Sequence, residues 1–243
     1  MTHVSDYFFR GRSSWLIPLL LLAATIVIFE ITDWDMAFQR LFYSPDTGWL
    51  IHLNRYSGLG LFYYTLPDYL LGCGVTAVLI YCIRQFVRKR RICWNGLYAI
   101  ICIVGIPILI SNMKTKNSMP YPSRIVDFGG KETKRSLIDA FRVHFKPEMK
   151  QYHGWPAGHA SGGCSLVCLA FLARRRRWRW AGFGAAIAVG GFMGICHTMD
   201  GNHFISHTLV TFFIAWLVSA WLYRLMRYLR WKILNRKNAG TNC

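Results

Sequence analysis

In 243 residues the chain carries 53% hydrophobic and 16% aromatic side chains but only 16% charged ones, with a mean hydropathy of +0.26. Soluble domains hold roughly 25% charge, so this composition rules out a disordered chain and argues against an ordinary soluble domain. The net charge of +18, from 29 Lys and Arg against 11 Asp and Glu, would suit nucleic-acid binding as one patch, but here it is split among short connections between apolar blocks.

A helix that crosses about 30 Å of hydrocarbon at about 1.5 Å per residue needs about 20 mostly apolar residues. The first such block is 15–31, with Glu30 near its end. No small-residue cleavage site follows it, so it reads as a retained helix rather than a signal peptide. Blocks 66–86 and 94–110 come next, then a short one at 160–173, then 180–195 and 204–225. The expected fold is all-α: a polytopic membrane protein with a six-transmembrane-helix bundle, forming one domain over 1–243. Within 180–195, Gly182, Ala186, Gly190 and Gly194 fall every four positions, a stripe that lets helix backbones approach closely. Segment 136–144 reads as a short amphipathic helix at the interface.

The connections alternate in charge. One side holds Arg84, Arg88, Lys89, Arg90 and Arg91, then Arg174, Arg175, Arg176, Arg177 and Arg179, then the basic tail from Arg224 onward. Arg10 and Arg12 join them against one acid, Asp6. The positive-inside rule places these segments and both termini in the cytoplasm, facing anionic headgroups. Short inner loops without spaced cysteine pairs fit a bacterial inner membrane. The outer segment 32–65 is rich in aromatics (Trp34, Phe42, Tyr43, Trp49, Tyr56, Phe62, Tyr63 and Tyr64), expected to form an interface belt. The outer segment 111–158 holds nine Lys and Arg. Either a longer loop translocates regardless of charge, or the charge builds an electropositive pocket for a phosphate.

Five histidines, His153, His159, His197, His203 and His207, fall within 55 residues at the outer ends of the helices. Histidine at membrane depth faces a bundle interior or water and marks function by default. Lys114 follows the third block, at the end of its helix, Trp155-Pro156-Ala157-Gly158-His159 leads into the fourth, and His197 to His207 spans the turn into the sixth. A lysine, helix N-termini with free N–H groups and two histidines suit phosphoryl transfer. One histidine would attack phosphorus and another would protonate the leaving oxygen.

These motifs resemble the type 2 phosphatidic acid phosphatases, integral-membrane lipid phosphatases related to the vanadium haloperoxidases. Their signature is Lys-x6-Arg-Pro, then Pro-Ser-Gly-His, then Ser-Arg-x5-His-x3-Asp. Here stand Lys114, six residues and Tyr121-Pro122; Pro156-Ala157-Gly158-His159; and Cys196-His197, five residues, His203, three residues and His207. The resemblance covers about 94–222. Tyr121 and His197 replace the two arginines, Ala157 the serine and His207 the aspartate. His203–x3–His207 with Phe128-Gly129-Gly130 looks like a divergent bacterial branch of the family.

The resemblance implies a phosphatase acting on a lipid phosphate or diphosphate monoester at the periplasmic face through a phosphohistidine. It makes His203 the nucleophile and His159 the general acid; His207 in the aspartate's place, or Asp200 as a rival, would orient His203. Lys114, Gly158, Arg124 and His197 would bind the phosphate. The family needs no metal or other cofactor. The expected partners are the membrane and a phospholipid, polyprenyl or lipid A phosphate substrate, with no nucleic acid. The alternatives are phospholipid-headgroup binding without turnover, lipid-to-lipid phosphotransfer and, more remotely, metal binding, since His203 and His207 are four apart on a helix.

Overall fold

The computed structural model describes residues 8–11, 13–51, 58–61, 66–89, 92–146 and 150–239. Asp6, Arg12, Tyr56, Phe62, Tyr63, Tyr64, Arg90 and Arg91 lie outside them. In chain order the helices are α1 (Ser13–Ile31), α2 (Trp34–Gln39), α3 (Leu66–Lys89), α4 (Trp94–Lys114), α5 (Leu137–His144), α6 (Gly158–Ser165), α7 (Cys168–Leu172), α8 (Arg176–Met199) and α9 (Ile205–Ala239). A two-residue hairpin pairs β1 (Tyr43–Ser44) with β2 (Gly48–Trp49). Among the described residues α1, α3, α4, α8 and α9 are long and apolar enough to cross a membrane. The chain is an all-α integral membrane protein.

The fourth predicted block differs from expectation. It is two short helices, α6 and α7, broken at Leu166 and Val167. Gly158–Leu172 is a shorter apolar helix, and at about 1.5 Å per residue it falls short of a hydrocarbon core. Its residues explain this. Gly, Ala, Ser and Cys dominate α6, and most of them are buried among the other helices rather than facing lipid. Ser161 Oγ donates to Gly158 O at 2.5 Å and Ser165 Oγ to Gly162 O at 2.6 Å. A helix break at membrane depth is tolerated because protein surrounds it.

The small-residue stripe of α8 is what admits α6 and α7 to the bundle centre. A Cβ on Gly190 would lie 2.6 Å from Cys164 Sγ, and one on Gly182 would lie 2.8 Å from Ala170 N. A Cβ on Gly194 would meet Thr208 of α9. Overpacking such a contact costs about 1–3 kcal/mol. Gly190→Val is therefore expected to lower the thermal unfolding midpoint in detergent, and an unchanged midpoint would contradict this packing.

At the end of the bundle that carries segment 111–158, α5 forms as predicted. Ser136 caps it, with Oγ accepting from Asp139 N–H, and Glu30 at the end of α1 accepts from Leu137 N–H at 3.0 Å. Ile138 and Phe145 are left outward. The aromatics of segment 32–65 divide. Trp34 is exposed, but Tyr43 and Trp49 pack against buried Met36, Ile125, Phe128 and Phe204. Those two belong to a second, smaller core instead of an interface belt, because Phe128 offers an aromatic face within 5.5 Å of both.

Candidate active site

Three chain stretches converge at this end of the bundle. Lys114 is the last residue of α4. Asn117, wholly buried, donates from Nδ2 to Met113 O at 2.9 Å and to Trp155 O at 2.6 Å. This amide fastens the end of α4 to the segment that opens α6. In consequence a Cβ on Gly158 would stand 3.5 Å from Lys114 Nζ. The first N–H groups of any helix lack intrahelical carbonyls, so the α6 N-terminus and the Lys114 ammonium present positive charge to one spot.

Lys114, Gly158 and His159 line a groove of about 680 Å³. From them it runs down between α3 and α4, past Leu71, Val75, Ile103, Val104 and Pro107. Its upper end is polar and cationic, and its lower walls are aliphatic. Of the nine basic residues of 111–158, Lys114 is the one that lines this groove. Lys134 pairs with Asp33 at 3.5 Å, Arg135 with Glu132 at 2.9 Å and Arg142 with Asp139 at 3.7 Å. Three of the nine are therefore paired with the protein's own carboxylates.

The imidazoles stack behind the groove. The rings of His159 and His197 are parallel within 24°, with centroids 4.1 Å apart. His203 lies next, its centroid 6.1 Å from His159 and 6.0 Å from His197. His159 is exposed, whereas His197 and His203 are 2% and 1% exposed. Tyr121, at the position of the first family arginine, lies between Lys114 and His203. Its ring is 5.9 Å from Lys114 Nζ and 6.2 Å from the His203 ring. Burial raises the Tyr121 phenol above its ordinary value, so it stays protonated at neutral pH. Arg124 is exposed on the short turn Pro122–Arg124, where its charge reaches the Tyr121 hydroxyl, but it is not among the groove-lining residues.

His203 and His207 share one hydrogen-bond acceptor. The Nδ1 atoms of His203 and His207 both approach the carbonyl oxygen of Gly154, at 2.8 and 2.9 Å. A carbonyl only accepts, so both rings carry their proton on Nδ1. Neither ring therefore bonds the other through Nδ1, and the carbonyl of Gly154 is the acceptor for both. His203 is left with an unprotonated Nε2. Burial, with the Lys114 charge and the neighbouring imidazoles, holds the His203 pKa well below the ordinary histidine range. It is therefore neutral at physiological pH. His207 faces a small inner cavity of about 50 Å³ that it shares with Asp35, Ser206 and Trp155. His153 stands apart, its Nδ1 3.1 Å from Lys114 O.

Sequence reading missed Gly154, Asn117, Asp35 and Gln39. Gly154 and Asn117 act through atoms that no motif singles out, a main-chain oxygen and a loop amide. Asp35 and Gln39 sit in α2, far from the motifs along the chain. Among the described residues no three His, Cys, Asp or Glu side chains form a metal-ligand group.

Comparison with curated proteins and with solved structures gives no match. A family model does match: the PAP2 superfamily, over residues 95–231, which takes in Lys114, the opening of α6 and the whole turn from α8 to α9. With more than half of the chain covered and its histidines gathered beside Lys114, the protein belongs to the PAP2 superfamily, whose members act as phosphatases on phosphorylated lipids or related substrates.

Proposed function

We propose that the protein is a phosphoric monoester hydrolase acting on a lipid phosphate or diphosphate at the periplasmic face of a bacterial inner membrane. The observation that carries this is the groove: Lys114, Gly158 and His159 at its head, His203 one ring behind, and aliphatic walls below. The head suits a phosphate and the walls suit a hydrocarbon chain. Lys114 and the first N–H groups of α6 bind the phosphate oxygens. The His159 ring turns off His197 to open the way to His203.

Nε2 of His203 then attacks phosphorus. An N–P bond forms as the P–O bond to the lipid breaks, and His159 gives its proton to the leaving oxygen. In the second half His159 takes a proton from water, the water oxygen attacks phosphorus, and the N–P bond breaks to release phosphate. Water and a second lipid hydroxyl are chemically equivalent acceptors here, so the same site would serve phosphotransfer.

Tyr121 and His197 in place of two arginines favour a second reading, headgroup binding without turnover, because the bidentate clamps are gone. Phosphate release from phosphatidate, phosphatidylglycerol phosphate, a polyprenyl diphosphate and a lipid A phosphate in mixed micelles separates the two. Release from at least one lipid, lost in His159→Ala, supports the enzyme. Saturable binding with no release across all four lipids overturns it.

A further inference from the structure

Helix α2 lies outside the family-matched segment 95–231, yet it touches both helix ends that carry the histidines. Asp35 and Gln39 are four apart, so they project from the same side of the helix. They are 5% and 0% exposed. Gln39 Nε2 donates to Thr198 O at 2.6 Å, one residue after His197 near the end of α8. The Asp35 carboxylate accepts from Ser206 N–H at 3.1 Å and from Ser206 Oγ–H at 2.5 Å, at the start of α9. Asp35 satisfies an N–H that the start of α9 leaves free, and Gln39 gives a second donor to Thr198 O, which also accepts from Gly201 N–H at 3.1 Å. Between these two grips runs the turn that bears His203. Trp49 of β2 lies against its middle, where Gly201 has φ +70° and a Cβ would come within 2.5 Å of the indole.

We infer that Asp35 and Gln39 are positioning residues. They form a two-pronged clamp that fixes the end of α8 relative to the start of α9 and so holds His197 and His203 at the spacing phosphoryl transfer requires. The inference rests on the phosphatase reading for its consequence, not for its geometry.

Neither grip is explained by stability alone. The second amide atom of Gln39, Oε1, is buried without a partner among the described residues. Burial raises the Asp35 carboxyl from 3.8 to about 6, against the Ser206 bonds and the charge of Lys134. Glu30, Lys134, Arg135 and His207 line the same small cavity. A folded-state pKa above the unfolded one means stability that is complete below about pH 4 and lost as pH rises through 6. At neutral pH the Asp35 charge therefore works against folding.

The test compares Asp35→Ala, Asp35→Asn and Gln39→Leu with the wild-type protein in detergent. Asparagine retains both grips, with Oδ1 accepting from Ser206 N–H and Nδ2 donating to Ser206 Oγ. Leucine keeps the shape of Gln39 and loses its donor. Asp35→Ala and Gln39→Leu are expected to lower kcat about tenfold with KM within twofold, while Asp35→Asn stays within twofold of wild type. Amide hydrogen exchange of peptides covering 198–206 should quicken in the first two and stay slow in the third. Folding is checked by gel filtration and thermal unfolding, and Gln39→Leu carries the test if Asp35→Ala does not fold. Unchanged exchange and kcat in folded Gln39→Leu would overturn the clamp, as would an Asp35→Asn as impaired as Asp35→Ala. A wild type that releases no phosphate, with exchange that still responds, would leave the clamp standing and remove the phosphatase reading instead.

Discussion

Replacing His203 by alanine is expected to lower kcat by a factor on the order of 10³ or more, with little change in thermal stability. The ring is buried and neutral, its Nδ1 proton is held by Gly154 O, and its Nε2 is left without that proton, in a ring whose centroid is 6.1 Å from that of His159. A nucleophile that forms the covalent intermediate is not replaced by His207, which lines the small inner cavity and not the groove. Initial rates in mixed micelles, with unfolding midpoints measured on the same preparations, check this. A kcat within tenfold of wild type would show that the phosphoryl group is transferred without attachment to His203.

Lys114→Met is the second large effect, about 10²–10³ in kcat/KM. Lys114 is the basic residue of the 111–158 connection that lines the groove, and both family arginine positions hold other side chains. In the proposed reaction, charge developing on phosphate oxygens would meet this ammonium and the α6 N–H groups, and removing one preorganised donor costs on this scale. Arg124→Ala should matter far less, below about fivefold, because its guanidinium stands outside the groove. Parallel kinetics of the two variants check the ranking, and a larger loss for Arg124→Ala would reverse the assignment of the phosphate-binding charge.

Much of the fold could be read from the sequence because lipid imposes a length and a hydropathy that show directly in the residues. The blocks behind α1, α3, α4, α8 and α9 stood out for that reason, and the Gly182 to Gly194 stripe stood out because close packing in lipid demands small side chains. The block at 160–173 misled because its apolar composition is the same whether it meets lipid or protein. Only its Gly, Ser and Ala content hinted that it is enclosed. The juxtaposition of Lys114, Gly158, His159, His197 and His203 was legible through motif spacing. The partner of His203 was not, since a histidine in place of an aspartate suggested side-chain orientation, whereas the oxygen belongs to the main chain of Gly154. Asp35 and Gln39 were illegible for a related reason. Their targets, Thr198 O and Ser206 N–H, are main-chain atoms 159 and 171 residues away along the chain, which no motif singles out.

Acid-quenched reaction with a 32P-labelled lipid phosphate that the wild type hydrolyses tests the central claim most directly. An alkali-stable, acid-labile phosphoprotein should form, map to His203, accumulate in His159→Ala and be absent in His203→Ala. Label that persists in His203→Ala, or turnover by the wild type with no protein-bound phosphate at any quench time, would contradict the account.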